Sequence, residues 1–264
     1  MQRRHFNRSA LALLAGASGA AFGAATSAAA TAATTAASPP TPEQLLAATD
    51  RVRGGGLPGL QWTLRITAHD PDAGSDMREM VVKAAGDDSV AETTLPARAA
   101  GGRLLQQGRN MWYGRPELSK AVSISSRQKM SGPAANGDIA STNYLKDYDA
   151  VLLRDDVVNG EAAWVLALTA KSRFVTYDRI EYWISKERWV PLRAGFLTVS
   201  GKLFKTAEIE AGNQLMVGGK AQPFVSRMTI RDALQSENVS VLEYRDVRLQ
   251  AVSRHELSVE SLTR

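Results

Sequence analysis

The chain has 264 residues, a net charge of +5, 44% hydrophobic and 22% charged residues, and no cysteine. These proportions are ordinary for a globular protein. The missing cysteine excludes disulfides, thiolate metal sites, a cysteine nucleophile and the lipid-attachment cysteine of a lipoprotein, and the scattered Lys and Arg, with no dense basic stripe, argue against a nucleic-acid binder.

Residues 1–30 read as an export signal, with basic Arg3, Arg4 and Arg8, a weakly apolar Ala/Leu/Gly run, then small residues. Arg3-Arg4-His5-Phe6 resembles a twin-arginine signal, although Gln2 and Asn7 depart from the usual neighbours. The run has too few strongly apolar residues to anchor in a bilayer. Ala28-Ala29-Ala30 is one of several possible cleavage signals, and loss of the three arginines leaves the mature chain near +2. Residues 31–40 are a low-complexity Ala/Thr/Ser/Pro spacer, expected to be disordered. Residues 41–264 are expected to form one domain of a soluble periplasmic protein.

Thr41-Pro42-Glu43-Gln44 predicts a helix start, with Thr41 and Gln44 forming a capping box and Pro42 in the first turn. Leu45, Ala48 and Val52 give it an apolar face, and Gly54-Gly55-Gly56 ends it. From Leu60 the period changes to two: Leu60, Trp62, Leu64 and Ile66 alternate with polar residues, which predicts a half-buried strand. Met77–Lys83, Val90–Leu95, Arg103–Gln107 and Met111–Tyr113 read as further strands. Ser126 to Asp147 is rich in Gly, Ala, Ser and Asn, and reads as a long functional loop with one or two helical turns. Asn159-Gly160 predicts a tight hairpin between Asp149–Val158 and Glu161–Thr169, because both central residues must tolerate positive φ. From Tyr177 to Leu249, short β-rich segments alternate with polar turns, which predicts an antiparallel meander. Residues 253–262 read as a short helix or a frayed end.

No catalytic constellation emerges. His69 and His255 lack metal-spaced partners, there is no G-x-S-x-G elbow, and Gly218-Gly219-Lys220 is not a phosphate loop. The chain reads as a non-enzyme without metal or cofactor. On residue types alone, its tryptophans and other aromatics read as a packed core.

The strand wording TYDRIEYWISKERWVPLRAGFLTVSGKLFKTAEIE and FVSRMTIRDALQSENVSVLEYRDVRL, with Gly137-Asp138-Ile139-Ala140, Asn143-Tyr144 and Asp147-Tyr148 upstream, resembles the outer-membrane lipoprotein-sorting family, relatives of the periplasmic carriers LolA and LolB. The resemblance spans about Thr41 to Leu249 and carries no catalytic signature. It implies a mainly β fold: an incomplete antiparallel β-barrel with short helices plugging its concave side. It also implies that Trp62, Leu64, Ile66, Trp112, Trp164, Leu166, Leu168, Tyr182 and Phe196 line an apolar cavity, with Asp138, Ile139, Asn143 and Tyr144 on a lid. The function implied is carriage of a lipid or lipidated protein, with an exporter of the resistance-nodulation-division class as partner, transient contact with a membrane surface, and a monomeric state. The alternative is an envelope interaction or sensor module using the same fold without cargo.

Overall fold

A computed structural model describes residues 39–264 except Ala73 and residues 140–142; the expected export signal and all but the last two residues of the expected spacer lie outside the described residues. Helix α1 (Pro42–Val52) opens on the predicted capping box: Thr41 Oγ1 accepts from Gln44 N at 3.3 Å, and Gln44 Oε1 accepts from Thr41 N at 2.9 Å. It buries Leu45, Leu46, Thr49, Asp50 and Val52, so its inward face carries a carboxylate that a purely apolar helical stripe does not predict.

Six strands follow as a meander: β1 (Leu60–Asp70), β2 (Gly74–Ala85), β3 (Asp88–Leu95), β4 (Arg103–Gln107), β5 (Asn110–Gly114) and β6 (Val122–Ile124). On β1, Leu60, Trp62, Leu64, Ile66 and Ala68 are buried, and the residues between them are more exposed, as period two requires. The loop-like segment contains four very short elements: β7 (Lys129–Ser131) pairs with β8 (Ala134–Ala135), and α2 (Asn136–Ile139) and α3 (Tyr144–Asp147) are single turns. None is long enough to carry a periodic signal.

The hairpin of β9 (Tyr148–Val158) and β10 (Glu161–Ala170) turns through Asn159 and Gly160, at φ 51° and 84°. Next come β11 (Arg179–Ser185), β12 (Pro191–Leu197), β13 (Leu203–Glu210), a separate hairpin of β14 (Asn213–Val217) and β15 (Lys220–Phe224), then β16 (Arg227–Asp232) and β17 (Val239–Leu249). β17 returns to pair with β1.

The result is one antiparallel sheet of 13 strands in the order β6-β5-β4-β3-β2-β1-β17-β16-β13-β12-β11-β10-β9. Its edges β6 and β9 do not pair with each other, so the curved sheet is an open barrel. The main core lies on the concave face, where α1, Ile139 of α2 and Tyr144 of α3 pack against it. A smaller cluster of Val90, Leu105, Leu257 and Leu262 lies on the opposite face, where residues from the C-terminal segment cover β3 and β4. No described helix is long and apolar enough to cross a membrane.

Candidate functional site

Seven of the nine expected cavity residues come together in the main core. Trp62, Leu64, Ile66, Leu166, Leu168, Tyr182 and Phe196 are each at most 2% exposed. Their faces are closed by protein side chains: Phe224 packs on Trp62, Tyr144 meets Tyr182 edge-on at 5.4 Å, and Tyr177 stacks on Phe196 at 3.9 Å. Trp164 is half-buried at the rim of this core, edge-on to Trp189, with the Lys186 ammonium over its ring.

Trp112 is a correction. It pairs with Leu105 and packs in the smaller cluster, whereas Leu104 belongs to the main core, so Trp112 faces away from the concave side. Size favours Trp112 as a lining residue, but strand parity decides, and in Met111-Trp112-Tyr113 the parity was not fixed by the sequence.

The expected lid residues lie on or cap the two single-turn helices, and Ile139 and Tyr144 belong to the main core. Asp138 and Ile139 are buried on α2, Asn143 caps α3, and Tyr144 is buried on α3. Among the polar attachments of this plug, two centre on the buried carboxylates Asp50 and Asp138. In the first, the Asp50 carboxylate on α1 accepts from Tyr144 N at 2.9 Å and Leu145 N at 3.0 Å, while Arg53 Nη1 donates to Tyr144 Oη at 3.3 Å. In the second, both Asp138 oxygens accept from Tyr177 Oη at 2.8 Å, Ala135 N donates to Oδ2, and Lys205 Nζ donates to Tyr177 Oη at 3.0 Å. Burial raises the Tyr144, Tyr177 and Tyr182 hydroxyls above the phenol range and pushes Tyr244 up to about 12, so all four remain neutral. Burial also lowers the Lys205 ammonium, against the pull of Asp138.

Beside the filled core is an open cleft of about 360 Å³, within the roughly 300–1,000 Å³ range typical of small-molecule sites. The sheet supplies Met80, Leu104, Tyr113 and Ile124, and β7 supplies Lys129 and Met130 opposite them. Met80 pairs with Leu64 across β1 and β2, so the cleft continues the concave face. Arg78, Lys129, Gln128 and Asn136 add polar lining. Arg78 Nη1 reaches Met130 Sδ at 3.6 Å, and its Nε donates to Asp76 at 3.0 Å. Burial works against the Asp76 carboxylate, but Arg78, the Ser131 hydroxyl and Arg98 outweigh it and hold its pKa low.

Sequence reasoning missed this wall. The strands that carry Met80, Leu104 and Tyr113 were expected, but these residues do not stand out by type, and β6 and β7, with only three residues each, were not expected. Among the described residues no cluster of three or more His, Cys, Asp or Glu could hold a metal ion. The cleft sets apolar side chains beside the polar Arg78, Gln128, Lys129 and Asn136.

A family model described only as an uncharacterized protein matches residues 85–264. No curated protein matches the chain. Among solved structures, a putative outer membrane lipoprotein-sorting protein domain from Vibrio parahaemolyticus is 21% identical, with a TM-score of 0.70 over 83% of this chain and 97% of its own. A DUF1329 family protein from Desulfovibrio piger is 20% identical, with a TM-score of 0.69 over the same shares. These two share the fold. A LolA superfamily protein from Nitrosomonas europaea is 32% identical, with a TM-score of 0.74, and the match covers 84% of this chain and 100% of that one. At that identity over the relative's whole length, on the same open half-barrel, the chain belongs to the LolA superfamily.

Proposed function

We propose that this protein is a periplasmic carrier that takes a lipid, or the acyl chain of a lipidated protein, into the cleft between β2–β6 and β7. The observation that carries this reading is an apolar cleft of about 360 Å³ opening on the concave side of a LolA-superfamily half-barrel. Each buried methylene contributes about 0.8 kcal/mol, so a chain of ten or more carbons gains several kcal/mol before ordering losses. Displacing the plug would extend the cleft toward Trp62, Tyr182 and Phe196, so the same residues serve as core when empty and wall when loaded. The export signal in residues 1–30 supports a periplasmic location. On this reading the carrier is a monomer that touches membrane surfaces transiently and works with an exporter of the resistance-nodulation-division class.

A second reading is an envelope interaction module without cargo, favoured by the closed packing over Trp62, Tyr182 and Phe196. Native mass spectrometry of protein purified gently from its own periplasm, with solvent extraction of bound material, separates the two. A discrete lipid-sized mass is the carrier's result. A clean apo mass with no uptake of offered lipids would sink the carrier reading.

A further inference from the structure

The cleft is polarised along its depth. Its inner end is apolar and closed: Met80 and Leu104 are 2% and 3% exposed. Its mouth carries Arg78 and Lys129, and its twelve lining residues include no carboxylate. Lys129 is exposed and has no ion pair or hydrogen bond through its ammonium among the described residues. Arg78 is about a third exposed, and its Nη1 contacts only a thioether, a weak acceptor that a charged oxygen outcompetes. The nearby carboxylate, Asp76, is already engaged by Arg78 Nε and the Ser131 hydroxyl.

We infer that this cleft selects an amphiphile with a net-negative headgroup, its acyl chain lying on Met80, Leu104 and Met130 and its phosphate or carboxylate held at the mouth by Arg78 and Lys129. The inference rests on the carrier reading and deepens it by naming the class of cargo. A charged fork and an ammonium at the open end of an apolar slot fix both the orientation and the charge of what enters. A zwitterionic lipid brings its own cation to the mouth and loses that advantage.

The test offers the purified mature protein phosphatidylglycerol or phosphatidylcholine with identical acyl chains and counts bound lipid by native mass spectrometry. The expected result is a preference for phosphatidylglycerol of roughly tenfold or more. It should fall toward parity in Lys129→Gln and vanish in Arg78→Gln/Lys129→Gln, with circular dichroism confirming the fold; Lys129 is exposed, so the single variant keeps the test valid if the double one misfolds. Glycerol 3-phosphate alone should not bind, because the apolar slot supplies most of the affinity. Equal uptake of both lipids overturns the charge selection and leaves the carrier reading standing. A preference unchanged in the variants overturns the assignment to this mouth. Uptake of neither lipid overturns both.

Discussion

At Asp138, one carboxylate ties together four parts of the molecule: α2, the β8 backbone through Ala135, the loop carrying Tyr177, and Lys205 on β13. Asp138→Ala should cost about 3–5 kcal/mol, because it leaves buried donors and a buried ammonium without their acceptor. Lys205→Met should cost less than Asp138→Ala, because the Asp138 carboxylate keeps its bonds from Tyr177 Oη and Ala135 N. Urea denaturation of both variants checks this, and the reverse order would make the lysine the anchor instead. Trp62 is a core residue of another kind. Trp62→Ala should cost about 3–5 kcal/mol by cavity formation. Trp62→Phe should cost far less, because the buried Nε1 has no hydrogen-bond acceptor among the described residues. The burial of Trp62 was legible in the sequence from its place in an alternating strand. The burial of Asp50, Arg53 and Asp138 was not, because isolated charges read as surface residues until their partners, up to 95 positions away, are known.

Among the elements, those with strong local chemistry were readable and those without were not. The Thr41–Gln44 capping box and the Asn159–Gly160 turn satisfy local backbone requirements, so each appears where its residues predict it. The plug is assembled from pieces of two to four residues that exist only by packing on the sheet. Gly137 shows how tightly they pack: a Cβ there would lie 2.0 Å from Thr176 Oγ1. Gly137→Ala should lift α2 from the Thr176 loop and speed hydrogen exchange across residues 136–147, with exchange in β1 unchanged. Unaltered exchange in the plug would show that the contact is slack. The C-terminal segment makes a pH-dependent prediction. The Lys83 ammonium and the Ser253 donors bring the Glu256 pKa down to about 2 from the usual 4.5. A depressed carboxylate stabilises the fold above its unfolded pKa and loses that contribution as pH falls. Docking of residues 253–264 should therefore hold above about pH 4.5 and loosen progressively toward pH 2, read as rising hydrogen exchange there. Lys83→Met should weaken that dependence, leaving the part that the Ser253 donors supply.

On the scale of the whole molecule, the long meander was legible because its turns are polar and short, which forces neighbouring strands to run antiparallel. Which face of β4 and β5 turns inward was not legible, since one residue of register exchanges the faces, and that is why Trp112 was misread. The open barrel leaves its concave face to be filled by whatever is available: the plug over Trp62 and Tyr182, and the cleft beyond it. A ligand that binds the folded protein alone must then raise its stability, by about 2.7 kcal/mol at a hundredfold excess over Kd. The carrier reading predicts a rise in Tm with an offered acyl lipid. Met130→Glu places a carboxylate on the apolar wall of the cleft from a half-buried position on β7, so it should abolish that rise while changing the apo Tm by only a few degrees. Gly137→Ala, which loosens the plug, should lower the apo Tm yet enlarge the lipid-induced rise, because less plug packing is lost when the chain enters. If lipid leaves the Tm of the parent and both variants unmoved, the concave face is a closed core and the fold serves as an interaction surface instead.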